Sequence, residues 1–174
     1  MKDNEGKTML RNLNSDNVTI ITIFVMISLC LIDNGKAMAI AGIDFPYEED
    51  LDFSEVQQII DAGQFDEAIS YLNSEVLEWY PENAEALTLK AFSLRNLGQN
   101  DYAMETYIAA LVSNPEHKGA LEYQGELFLK LGDIGAAQNN LGKLKKLCPR
   151  GCEAHDKLQS AIERFKDGKL SWLP

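Results

Sequence analysis

A recurrence with a period of 34 constrains this chain more than any other feature. Within residues 84–117, Leu87, Ala91 and Leu94 recur four and three apart, which marks one face of a helix. Gly98 interrupts that helix, because glycine enters the positive-φ turn conformation without steric cost. Ala103, Tyr107 and Ala110 mark the face of a second helix, which Pro115 ends. One period on, Leu121, Gly125, Phe128, Gly132, Ala137, Leu141 and Pro149 fall in the slots of Leu87, Ala91, Leu94, Gly98, Ala103, Tyr107 and Pro115. Upstream, Gly63 and Ala68 lie 35 before Gly98 and Ala103, whereas Pro81 lies 34 before Pro115. One extra residue therefore sits between Ala68 and Pro81, inside the second helix of the first unit. Helix pairs this short cannot bury an apolar face alone, so the copies must stack.

Small, glycine, alanine, aromatic and proline slots in that order, at that period, resemble the tetratricopeptide repeat. The resemblance implies an all-α fold: a right-handed superhelical α-solenoid of three helix pairs, at 49–83, 84–117 and 118–151. Ala91 and Ala103 are expected to let the paired helices approach closely. The first unit is the least regular. Phe53, Val56, Ile59 and Ile60 give its first helix an apolar stripe, but Asp52 and Glu55 stand where the second unit is apolar, as suits a terminal repeat. Ala68, Leu72, Val76 and Trp79 share a face of its second helix, and Trp79 and Tyr80 read as core or edge packing. Leu158, Ile162 and Phe165 form the stripe of a seventh helix, 152–169, expected to cap the stack ahead of a tail at 170–174.

Residues 1–39 read as a secretory signal peptide. Lys2, Lys7 and Arg11 precede an apolar run at 18–32, which as a helix would rise only about 22 Å, short of a bilayer core. Ala37-Met38-Ala39 and Ala39-Ile40-Ala41 fit a signal peptidase, giving cleavage after Ala39 or Ala41 and an acidic lead-in at 40–48. The expected location is the periplasm; an uncleaved signal anchoring the chain to the inner membrane is the alternative. Leu29 before Cys30 argues against a lipoprotein site, which needs a small residue there.

Charge is graded along the mature chain. Residues 42–89 hold thirteen acids and no lysine or arginine, whereas residues 118–174 hold ten basic residues against seven acids. Solvated helix faces explain such a bias first. An acidic end could also attract a basic partner or the basic end of a second copy. Nucleic acid is disfavoured, since most of the surface would repel phosphate.

Tetratricopeptide arrays bind partners on the concave face built from the first helix of each repeat. The resemblance assigns Thr88, Leu89, Phe92, Arg95 and Asn96 to that face in the second repeat, and Glu122, Tyr123, Glu126 and Lys130 in the third. Gln57 and Asp61 take those places in the first. In the chaperone-tail clamp subfamily, basic residues and asparagine hold a C-terminal carboxylate. Here Phe53, Gln57, Leu89, Gly119 and Tyr123 stand at those slots, so that clamp is absent. Glu122 and Glu126, one turn apart, could share a proton or a cation, but read first as solvated helix surface.

Cys148 and Cys152 flank a turn. In an exported chain they read first as a disulfide, since one helical-type turn brings Cα atoms to about 6 Å. Free thiols, a redox pair, or a soft-metal site with His155 stay open. The segment also resembles the end of a group of small exported proteobacterial tetratricopeptide proteins with a C-x3-C-E motif. Glu122, Tyr123, Gly125, Glu126, Cys148, Cys152, Glu153 and Leu158 match that pattern, while Ala154 and His155 depart from it. The match implies a compartment and a fold.

No catalytic constellation emerges. His117 falls in the loop after Pro115, with no serine or cysteine nucleophile nearby in sequence. Neither a phosphate-cradling loop nor a zinc-type cysteine spacing is present, and no cofactor is expected. The chain therefore reads as a non-enzymatic periplasmic adaptor that binds a protein or peptide segment in its groove, with self-association left open. A thiol-redox or copper-handling protein using Cys148, Cys152 and His155 is the alternative.

Overall fold

Helix starts and stops recur with the period of the sequence. The computed structural model describes residues 51–168, and these form helices and no strand. The helices are α1 Ser54–Asp61; α2, made of Phe65–Tyr71 and its π-helical continuation Leu72–Leu77; α3 Ala84–Asn96; α4 Asn100–Ser113; α5 Lys118–Lys130; α6 Ile134–Leu147; and α7 Glu153–Lys166. The signal peptide, the lead-in and the tail lie outside the described residues. No helix among those residues is long and apolar enough to cross a membrane.

The turns repeat at the level of single hydrogen bonds. Asn83 caps α3 by accepting the Ala86 N–H at 2.8 Å. One period later His117 Nδ1 caps α5 by accepting from Ala120 N–H at 3.1 Å. His117 is thus a structural cap rather than a free loop histidine, and its Nε2 lies 2.9 Å from the Glu85 carboxylate. At the other end, Gly98 and Gly132 adopt φ of 77° and 85°. Their N–H groups bond to Arg95 O and Leu129 O, while Gln99 and Asp133 N–H reach back to Leu94 O and Phe128 O. This is the Schellman arrangement, which satisfies carbonyls that a helix end leaves unpaired.

The extra residue counted in the first unit appears as the π-helical stretch Leu72–Leu77. A π turn absorbs one additional residue without breaking the helix. Ala68, Leu72 and Val76 remain buried along it. Trp79, expected on that face, is instead 57% exposed, because regular helix stops at Leu77 and the chain turns there. Tyr80 packs against the core of this unit in its place. α1 is also shorter than its counterparts; Asp52 accepts from Ser54 N–H at 2.8 Å and fixes the start there.

Apolar faces are shared between successive pairs. Ala86 and Leu89 of α3 complete the core of the first pair, built from Val56, Ile60, Ala68, Leu72 and Val76. Leu127 of α5 joins Ala91, Leu94, Ala103 and Tyr107 in the second. Ala154, Leu158, Ala161 and Ile162 of α7 complete the third with Leu121, Leu129, Ala137 and Leu144. Because α3 is packed on both sides, Leu87 is only half-buried while Ala86 and Leu89 carry the contact to the first pair. A buried amide stitches the last pair: Asn140 Nδ2 donates to Leu121 O at 3.1 Å and to Gln124 Oε1 at 2.9 Å.

Gly125, in the slot of Ala91, owes its size to the cap rather than to its own partner helix. A Cβ there would stand 2.6 Å and 2.7 Å from the two methyls of fully buried Leu158 on α7. Gly125→Leu is therefore expected to push α7 away and cost roughly 1–3 kcal/mol. Urea denaturation should show this loss of stability, and an unchanged midpoint would refute the contact.

Candidate partner-binding groove

The groove residues come from the exposed edges of first helices whose other sides are buried. Phe92, Arg95 and Asn96 project from α3; Glu122, Tyr123, Glu126 and Lys130 belong to α5. The Phe92 and Tyr123 rings lie 5.1 Å apart at 52°, and Phe65 of α2 meets Phe92 edge-on at 6.3 Å. This aromatic line crosses three repeats. Phe65 escapes a reading based on first-helix slots, since it opens a second helix.

Arg95 locks that line to the next repeat. Its Nη1 donates to Glu126 Oε2 at 2.8 Å and to Tyr123 O at 3.3 Å. The guanidinium lies over Phe92 at 5.1 Å and within 5.8 Å of the Tyr123 centroid. Each such contact contributes on the order of 0.5–1 kcal/mol where water still reaches it. Lys130 Nζ donates to Arg95 O at 3.3 Å, and Asn96 Nδ2 donates to Phe92 O at 2.8 Å. Phe92, Arg95, Asn96, Tyr123, Glu126 and Lys130 therefore form one connected surface.

Other expected groove residues lie elsewhere. Thr88 is 1% exposed; its hydroxyl donates to Ala84 O at 2.6 Å and it packs in the seam toward His117. Leu89 is buried in the first core. Both are covered because the neighbouring units close over that part of α3. Gln57 and Asp61 remain exposed and hydrogen-bond each other at 2.9 Å.

Glu122 is not solvated helix surface. It is 5% exposed, because α7 packs beside α5 and shields it. Burial pushes its carboxyl up to about 7; the nearby Lys157 ammonium opposes this, and Glu126 and Glu153 reinforce it. Beside it an open cleft of about 680 Å³ runs between Glu126 and the α7 residues Glu153, Asp156, Lys157, Ser160 and Arg164. A second of about 400 Å³ joins Lys118, Glu122 and Tyr123 to Cys152, Glu153 and Lys157. The cap helix thus supplies one wall of both clefts. Its polar spacing, Glu153, Lys157, Ser160 and Arg164, was the sequence signal for this.

Cys148 and Cys152 are joined as a disulfide, with Cα atoms 5.8 Å apart. Cys152 precedes the first turn of α7 and lines the smaller cleft, so the bridge pins the wall that carries Glu153 and Lys157. His155 pairs with Asp156 at 2.9 Å. Among the described residues no group of three or more His, Cys, Asp or Glu side chains is placed to hold a metal.

Known proteins share this architecture. Residues 60–123 match the tetratricopeptide repeat family model. No curated protein sequence matches the chain. A tetratricopeptide repeat protein from Parabacteroides merdae has a similar structure at 22% identity and TM-score 0.55, covering 65% of this chain and 43% of its own. The present chain thus spans less than half the length of that relative. The Yersinia enterocolitica type III secretion chaperone SycD, in complex with a peptide of the translocator YopD, matches at 16% identity and TM-score 0.57. That match covers 68% of this chain and 92% of SycD. The first repeat domain of Spaghetti (RPAP3), bound to an HSP90 peptide, matches at 20% identity and TM-score 0.55, over 64% and 88%. The described residues thus have the all-α solenoid fold of tetratricopeptide repeat proteins, and residues 60–123 carry the match to that family.

The buried carboxyl makes stability depend on pH. Glu122 titrates near 7 in the folded chain and near 4.5 when exposed, so the folded state holds the extra proton between those values. The stability this provides is complete below 4.5 and is lost as pH rises through 7. Glu122→Gln should abolish this dependence, gaining about 2–3 kcal/mol on the parent between about pH 5 and pH 8. Urea midpoints at the two pH values check it; parallel pH profiles would contradict it.

Proposed function

We propose that this chain is a non-enzymatic adaptor that binds an extended segment of a protein partner along its concave face. The carrying observation is the line Phe65–Phe92–Tyr123 with Arg95 set among the rings and tied to Glu126. A rigid, partly exposed aromatic and arginine surface is the composition that dominates binding energy in protein interfaces. Peptide complexes of SycD and RPAP3 on the same fold support the reading. The residues at the clamp slots do not suit capture of an acidic C-terminus, so the recognised element is an internal segment. The copper-handling alternative would need Cys148 and Cys152 as free thiols, whereas they are bonded to each other, and a thiol-redox role would require that bond to open and close.

The test uses short peptides selected from a random display library on the intact chain. Phe92→Ala with Tyr123→Ala is expected to weaken them at least about tenfold, a loss of roughly 1.4 kcal/mol or more. Circular dichroism of the double variant checks that its helices persist. Unchanged affinity in a folded double variant would remove the groove assignment.

The adaptor works, in this proposal, in the periplasm after export. The support is the basic start, the short apolar run and the small-x-small sites at Ala37-Met38-Ala39 and Ala39-Ile40-Ala41. N-terminal sequencing of the exported protein should begin at Ile40 or Gly42. A retained leader would instead make it a membrane-anchored adaptor.

A further inference from the structure

We propose that the cleft between α5 and α7 is a subsite for one basic side chain, a lysine or arginine, of the bound segment, received by the carboxylate of Glu122. The inference rests on the groove reading above and adds the chemistry of the partner. Four carboxylates line the two adjoining clefts. Glu126 is held by Arg95 at 2.8 Å, Glu153 by Lys157 at 2.8 Å, and Asp156 by His155 at 2.9 Å. Glu122 alone among these has no hydrogen bond or ion pair to the described residues, although it is 5% exposed. A carboxylate that is largely desolvated, unpaired and open only to the cleft is costly to ionise, and a hydrogen-bonding cation is the ligand that offsets that cost.

The surroundings select a cation and a long aliphatic stem. Tyr123 lines the same cleft and brings an aromatic side chain beside the stem. Lys157, the resident ammonium nearest in effect, is already neutralised by Glu153. Lys118 borders only the smaller cleft and Arg164 only the larger, both on exposed positions. An anionic ligand would instead meet Glu122, Glu126 and Glu153 together.

Proton linkage follows from the same placement. The groups acting on Glu122 are Lys157 and Glu153 from α7, Glu126 from α5, and Arg95 from α3. An incoming cation stabilises the ionised form, so binding expels the proton that Glu122 carries below about 7. Affinity should therefore fall as pH drops, by roughly tenfold from pH 8 to pH 6.

The probes are the library peptides selected on the intact chain at pH 8. They are expected to share a lysine or arginine at one position. Replacing it with norleucine should weaken binding about tenfold or more, as should Glu122→Gln, and the two changes together should cost no more than either alone. The Glu122→Gln chain should also bind with no decline toward pH 6. Glutamine keeps the shape of glutamate, and its retained helicity is checked by circular dichroism. Peptides without a shared basic residue, or additive losses in that cycle, would overturn the subsite. If Phe92→Ala with Tyr123→Ala abolishes binding while Glu122→Gln does not, the subsite fails and the groove stands. If neither affects binding, both readings fall.

Discussion

No helix pair among the described residues buries its apolar face by itself. Leu89 completes the core of the first pair, Leu127 that of the second, and Leu158 that of the third. Isolated helices of eight to fourteen residues are marginal in water, so this sharing holds them in place. The array needs an end as a consequence. α7 provides it by presenting Leu158 and Ile162 inward and a charged stripe outward.

That arrangement also decides which side chains stay at the surface. A first helix wedged between two neighbours keeps only part of its surface free, and on α3 that part includes Phe92, Arg95 and Asn96. Thr88 and Leu89 fall on the covered side although their slots resemble groove positions. The same closure by α7 buries Glu122, leaves its carboxyl without a partner, and raises its proton affinity. Stability and the character of the groove thus have one origin.

Much of the fold was legible from spacing. The glycine and proline slots located the turns, and the longer step upstream, from Gly63 to Gly98, located the π-helical stretch at Leu72–Leu77. Spacing works here because each slot has a local cause: a positive φ at Gly98, a helix end at Pro115, a small contact at Ala103. The groove was only partly legible. Phe92, Arg95, Tyr123 and Glu126 came together as the repeat slots implied, whereas Phe65 and the polar stripe of α7 lay outside the first-helix pattern. Trp79 misled because an apolar face was extended past the point where regular helix stops.

The sequence alone determined the units, their order and the short turns between them, since each depends on residues close in the chain; it favoured the pairing of Cys148 with Cys152 without deciding it. Only the tertiary structure decided that His117 is a cap, that Gly125 makes room for Leu158, and that Glu122 is buried without a partner. Those properties depend on how each helix meets the ones that pack against it. A fixed period says that a neighbour will be there, but not which side chain it brings.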